Sequence, residues 1–320
     1  MFKYNTLKLT SLLFGLMLSL TVLNSVASAK EKITVLLDWF INPDHAPLII
    51  AKERGFFDKA GLDIELIAPS DPSMPPKLVA AGKADLAVSY QPQLHIQVDQ
   101  GLPLTRIATL VSTPLNSLVV LKDGPIRSIK DLKGKKIGFS VGGFEDALLS
   151  AMLSTHGLQL SDVTLINVNF SLSPSIVSGK VDAVIGAFRN FELNQMDIIN
   201  KPGLAFYPEE NGVPTYDELI IVAHKDKTQD KRLRQFVNAI EDAMQYLVNH
   251  PKESWLTFIK TDKKLNDELN RRAWKDTMTR FALRPAALDK YRYQRFAKFL
   301  KKQGLIKNIR PVSEYSTELP

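Results

Sequence analysis

A serine stands at the centre of GFSVG, residues 138–142, the G-x-S-x-G spacing that exposes a nucleophile on a strand-to-helix turn. A hydrolase built on Ser140 would need an acid and a histidine downstream, and Asp217 and His224 supply those types. The flanking periodicity keeps Ser140 inside a strand over 135–141 and leaves the turn to Gly142 and Gly143, so the serine reads as structural. The five histidines, His45, His95, His156, His224 and His250, have no metal-ligand spacing. With no cysteine, the chain has no disulfide, thiol nucleophile or zinc–thiolate site. No catalytic residue, metal ligand or cofactor is therefore assigned. Backbone N–H groups of GGF at 142–144 could cradle an anion, but Glu145 and Asp146 in the following turn would repel it and instead complement the helix dipole.

Short stretches that follow apolar runs carry a different chemistry. DWFINPDH at 38–45 and YQPQ at 90–93 belong to one half of the chain; Phe144, Glu145 and FRNFE at 188–192 belong to the other. Trp39, Tyr90 and Phe188 either cap local cores or stack on a flat, uncharged or weakly basic heterocycle. With a heterocycle bound, Asp38, Asn190 and Glu192 could read its N–H and ring-nitrogen edges. His45 is either a ligand contact or a cap on the next helix, and it is taken here as a contact.

The elements that must position these residues repeat. LVAAGKADLAVS at 78–89 and SIVSGKVDAVIG at 175–186 share a helix, a Gly-Lys-x-Asp corner and a strand. In the first copy the patterning predicts strands over 32–38, 61–69 and 84–89, with helices over 47–54 and 76–81 stopped by Gly55 and Gly82. In the second it predicts strands over 135–141, 162–168 and 181–186, with helices over 144–157 and 173–179. Each copy is a β-α-β-α-β unit and should form its own mostly parallel sheet. Extended runs at 116–124 and 216–226 read as two crossovers, and Leu233, Phe236, Val237, Ile240, Met244, Leu247 and Val248 form an amphipathic stripe in a helical C-terminal part. Further helical segments, with Leu265, Leu269, Trp274, Met278 and Phe281, should cover the first lobe. The expectation is two α/β lobes joined by two crossover segments around a cleft walled by strand ends.

Lys3 and Lys8, an apolar run over 12–26 and Ala27-Ser28-Ala29 have the form of a signal peptide over 1–29. Its removal takes two lysines from a formal charge of +7, leaving +5, on a surface whose basic residues are scattered. That pattern gives no nucleic-acid stripe. With no cysteine to acylate there is no lipid anchor, and an exported, unanchored chain fits a Gram-negative periplasm. The division expected is 30–118 plus 222–320 for the first lobe and 119–221 for the second.

KITVLLDWFINPDHAPLIIAKERGFFDKAGLDIELIAPSDPS, LKGKKIGFSVGGFE, GKVDAVIGA and FVNAIEDAMQYLVNHP together resemble the thiamine-pyrimidine family. Its members include hydroxymethylpyrimidine phosphate synthases and formylaminopyrimidine-binding proteins of ABC importers. The resemblance implies a type II periplasmic-binding-protein fold, with Asp38, Trp39, Tyr90, Asn190 and Glu192 near a pyrimidine. It also separates the branches. The synthase's pyridoxal-phosphate lysine and its histidine correspond to Ser89 and Gln93, and its cysteine-rich motif has no counterpart. The implied protein is a binding protein, not an enzyme, with a small-molecule pyrimidine ligand, ABC permease subunits and their ATPase as partners. A nitrate-, sulfonate- or taurine-type receptor is the alternative on the same fold, and a pyrimidine-processing enzyme or the serine hydrolase is the alternative from another class.

Overall fold

The computed structural model describes residues 30–319; the signal peptide expected over 1–29 lies outside them. β1 (Glu31–Leu36) buries Ile33 and Val35 on one side of a sheet, and Pro47 in the first turn of α1 (Ala46–Glu53) starts the first helix. The short α2 (Phe56–Lys59), β2 (Leu62–Ile67), α3 (Pro75–Ala80) and β3 (Leu86–Ser89) complete the repeat unit. α4 (Gln91–Asp99) starts directly after Tyr90, where the sequence reading places only a loop, and β4 (Leu104–Val111) is a wholly buried strand that it does not predict.

β5 (Asn116–Leu121) opens the second sheet. β6 (Lys136–Phe139), α5 (Glu145–Thr155), β7 (Thr164–Asn167), α6 (Leu172–Val177) and β8 (Ala183–Phe188) follow in the expected order. β6 ends at Phe139, so Ser140 lies one residue past the strand and not within it. α7 (Glu192–Ile198) and the short β9 (Gly203–Phe206) close this unit before β10 (Leu219–His224) returns.

The sheet orders are β2-β1-β3-β10-β4 and β7-β6-β8-β5-β9. In each, the three repeat strands are parallel, and the fourth position is filled by an antiparallel strand next to a crossing. The two expected connections are therefore largely strands: the chain passes between sheets over 112–115 and 207–218. Glu218, fully buried, ties these passages together. Its Oε2 accepts the N–H groups of Leu115 and Asn116 at 2.5 and 2.9 Å. Burial raises its pKa to about 7, against the opposing pull of those two donors.

The repeated corner has a physical reason in both lobes. Gly82 (φ +69°) and Gly179 (φ +72°) end their helices in the left-handed region. The corner's aspartate then reaches the first strand of its own sheet: Asp85 Oδ2 accepts the Thr34 N–H at 3.0 Å, and Asp182 Oδ2 accepts the Lys136 N–H at 2.8 Å.

Of the C-terminal helices, α8 (Lys231–Asn249) buries Leu233, Phe236, Val237, Ile240, Met244 and Leu247 against α1 and α2, and α9 (Pro251–Thr261) packs on α1. α10 (Glu268–Thr277) touches both the 3-10 turn Pro43–His45 and α7, so it bridges the lobes instead of covering only the first. α11 (Lys290–Lys302) lies on α4.

Candidate functional site

The ends of β1, β3, β6 and β8 face a cleft lined by Asp38, Trp39, Asn42 and Tyr90 from the first lobe and by Glu145, Leu172, Gly186, Phe188, Phe191 and Glu192 from the second. Asp38 is the hub of the first wall. Its Oδ1 lies 2.8 Å from His45 Nε2, and its Oδ2 accepts the Tyr90 hydroxyl at 2.9 Å. Asn42 caps the turn that holds His45: its Oδ1 accepts the Asp44 N–H at 2.8 Å, and its own N–H points at His45 Nδ1 at 3.3 Å. With Nδ1 accepting, the histidine proton belongs on Nε2, donated to Asp38. Burial, then the Asp38 charge, pushes the Tyr90 phenol well above its ordinary range, so it remains a donor. One face of the Tyr90 ring is covered by Phe144, stacked at 4.7 Å and 14°, and Phe188 stands edge-on at 6.5 Å.

Two acids dominate the second wall. Glu145, in the first turn of α5, accepts the Ser140 N–H on Oε2 at 2.6 Å. Glu192, in the first turn of α7, accepts the Phe188 N–H on Oε2 at 2.7 Å. Burial raises both carboxyls to about 8, outweighing the lowering by these backbone donors. At neutral pH each is mainly a carboxylic acid, able to donate as well as accept. Gly186 makes room for the first: at φ +101° it sits in a conformation side chains avoid, and a β-carbon there would land on the Glu145 carboxyl.

Asp38, Trp39, Tyr90, Glu145, Phe188 and Glu192 are thus brought together at the cleft. Three other expected contacts stand behind it. His45, completely buried, orients Asp38; Phe144, also completely buried, backs Tyr90. Asn190 lies on the seam between the lobes, where its Nδ2 donates to Asp44 Oδ1 at 2.6 Å and to Thr277 Oγ1 at 2.7 Å. Beside it Asn194 Nδ2 donates to Asp276 at 2.8 Å. Asn42, Leu172, Gly186 and Phe191 line the cleft without having been singled out. Asn42 and Phe191 fall inside the stretches read as cleft loops, whereas nothing in the sequence marks Leu172. The hydrolase relay is not assembled. Ser140 Oγ donates to the Asn169 carbonyl, Asp217 accepts from Thr109 and Arg292, and His224 Nδ1 faces the Asp226 N–H. Among the described residues no group of three or more His, Asp or Glu could hold a metal ion.

The family model described as NMT1/THI5 like matches residues 42–254, two thirds of the chain. The chain belongs to the NMT1/THI5-like family. It is 53% identical to a Haemophilus influenzae protein named for thiamine biosynthesis, over 97% of both chains. It is 32% identical to the formylaminopyrimidine-binding protein of Halalkalibacterium halodurans, over 77% of this chain and 76% of that one. Similarity extends to a Saccharomyces cerevisiae 4-amino-5-hydroxymethyl-2-methylpyrimidine phosphate synthase, 27% identical over 76% of this chain and 74% of the synthase. The fold is that of periplasmic binding proteins. The alkanesulfonate-binding protein of Xanthomonas axonopodis pv. citri superposes with a TM-score of 0.70 at 15% identity, over 89% of this chain and 97% of that one. A Candida albicans protein described as having the generic periplasmic-binding-protein fold superposes with a TM-score of 0.71 at 16% identity, over 90% and 96%.

Proposed function

We propose that the chain is an exported, periplasmic solute-binding protein of an ABC importer, and that it captures a thiamine-precursor pyrimidine of the formylaminopyrimidine or hydroxymethylpyrimidine type for delivery to the permease. One observation carries the choice of ligand. The cleft lining combines Trp39, Tyr90, Phe188 and Phe191 with the acids Asp38, Glu145 and Glu192, and holds neither lysine nor arginine. An anion such as nitrate or a sulfonate would find no lysine or arginine among these residues to balance its charge, and would lie beside Asp38. An aminopyrimidine suits the same walls. A neutral carboxyl donates its O–H to a ring nitrogen and accepts the neighbouring amine, while the rings cover the heterocycle's faces.

Binding without chemistry is favoured by the residues that replace the synthase's reactive pair. Ser89 Oγ donates to Gln93 Oε1 at 2.9 Å, both buried, where the family resemblance places the synthase's lysine and histidine. Capture would proceed by closure of the lobes about 112–115 and 207–218, with Glu218 keeping the passages together and Asn190 meeting Asp44 and Thr277 across the seam. Calorimetry with a formylaminopyrimidine, a hydroxymethylpyrimidine, taurine and nitrate tests the reading, with mass spectrometry of the ligand recovered after incubation. Tight binding of a pyrimidine returned chemically unchanged is expected. Tight binding of taurine or nitrate alone, or a converted pyrimidine, overturns it.

A further inference from the structure

The binding reading leaves Ser140 without a task, although the residue is 2% exposed and fully engaged. Its N–H holds the cleft acid Glu145, and its hydroxyl donates to the carbonyl of Asn169. Asn169 lies in the loop 168–171, between β7 and α6. β7 is an edge strand whose one neighbour in the sheet is β6. The loop is a tight one: the Asn169 N–H bonds Asn167 Oδ1 at 2.8 Å, the Ser171 N–H bonds the Val168 carbonyl at 2.9 Å, and Asn169 itself takes the left-handed φ of +50°. Held this way, the loop sends Phe170 across the seam. Its ring centroid lies 4.7 Å from Trp39 and 4.6 Å from Phe40, both on the first lobe.

These rings form a series from inside to outside. Trp39 lines the cleft, Phe170 is half-buried, and Phe40 is 53% exposed. We propose that Trp39, Phe170 and Phe40 form a gate over the cleft, and that Ser140 is the positioning residue that holds it. Offset and edge-on ring contacts are favourable but made only while the lobes are together, so the gate must part whenever they open. The contacts are between protein side chains alone. The gate therefore slows both access and escape, and Ser140 links it to the acid that faces the ligand. The inference rests on the proposed function only in taking the cleft as the ligand's site.

Two measurements keep the gate and the ligand assignment separate. In protein without added ligand, acrylamide quenching of tryptophan fluorescence reads the cover over Trp39. Phe170→Ala should raise the quenchable fraction, Ser140→Ala should raise it less, and Trp39→Phe should remove the increment. No change in Phe170→Ala overturns the gate. Stopped-flow binding of a formylaminopyrimidine should then show kon and koff rising together in Phe170→Ala, each by about two- to ten-fold for each of the two aromatic pairs lost, with Trp39 and with Phe40. Phe170→Leu, which keeps bulk in the loop, should lie between it and the wild type. A faster koff with unchanged kon would make Phe170 an ordinary ligand contact and overturn the gate. Wild-type rates and quenching in Ser140→Ala would remove the positioning role. If the wild type binds no pyrimidine the proposed function fails, and the quenching result still decides the gate.

Discussion

Replacing Glu192 by Gln tests whether a buried acid in the cleft keeps its proton at neutral pH. Glu192 is 7% exposed and has its carboxyl raised from 4.5 to about 8, mainly by burial, while the Phe188 N–H works in the opposite sense. The folded protein therefore holds this proton at pH values where the unfolded chain has shed it. Between 4.5 and about 8 the folded state binds about one more proton at this position, so stability falls as pH rises. The contribution is fully present below 4.5, declines across the window and is lost above about 8. At about 1.4 kcal/mol per pH unit the whole interval is worth up to about 5 kcal/mol.

Glutamine mimics the neutral acid in shape and keeps an acceptor for the Phe188 N–H, but it does not titrate. Glu145, also near 8, and Glu218, near 7, impose the same trend on both proteins and drop out of the comparison. Urea denaturation of wild type and Glu192→Gln at pH 5, 7 and 9 gives the difference directly. The two should be close in stability at pH 5, and the variant should be the more stable by at least about 2 kcal/mol at pH 9. A difference that stays within about 0.5 kcal/mol across the series would refute the reasoning, because Glu192 would then titrate alike in both states.

Trp39→Ala removes one wall of the cleft and should weaken pyrimidine binding about ten-fold or more by calorimetry, the ring pair adding to the lost apolar area. Asn190→Ala removes both cross-lobe hydrogen bonds of its Nδ2. It should cost about 1–3 kcal/mol in urea unfolding and enlarge the radius of gyration measured by small-angle scattering. Gly186→Ala places a β-carbon against the Glu145 carboxyl at a φ of +101° and should destabilise the protein by about 2–4 kcal/mol in the same unfolding assay.

Much of the fold was legible because local rules agree with it. The six parallel strands and their helices follow from apolar runs stopped by glycine, and Gly55, Gly82, Gly157 and Gly179 all take positive φ. β4 was hidden by Arg106, a residue that argues against a buried strand. It is tolerated because its guanidinium is satisfied by the Pro285, Ala286 and Ala287 carbonyls and by Thr109, partners mostly contributed by a segment distant in sequence. The cleft was legible where residue type carries the signal, as with Trp39, Tyr90, Glu145 and Glu192. It was not legible for Leu172 and Gly186, whose places depend on strand register. Asn190 stands on the seam and not among the lining residues, and an amide beside a cleft has the same appearance in sequence whether it faces a ligand or the opposite lobe.

The repeat also explains why two lobes of one plan build a site with unlike walls. Asp85 fixes the Thr34 N–H and Asp182 fixes the Lys136 N–H, so the two corners set equivalent registers in β1 and β6. Four residues beyond those anchored N–H groups stand Asp38 and Ser140, buried to 3% and 2% exposure. Each is the junction of its wall. Asp38 accepts from His45 and Tyr90, which fixes the place of its carboxyl at the cleft. Ser140 donates through both its N–H and its hydroxyl, which places the Glu145 acid on one side and the Phe170 loop on the other. An acceptor hub and a donor hub at matching positions follow from one register carrying two different side chains. The serine that looks like a nucleophile in sequence thus stands at the position that holds Asp38 in the first lobe.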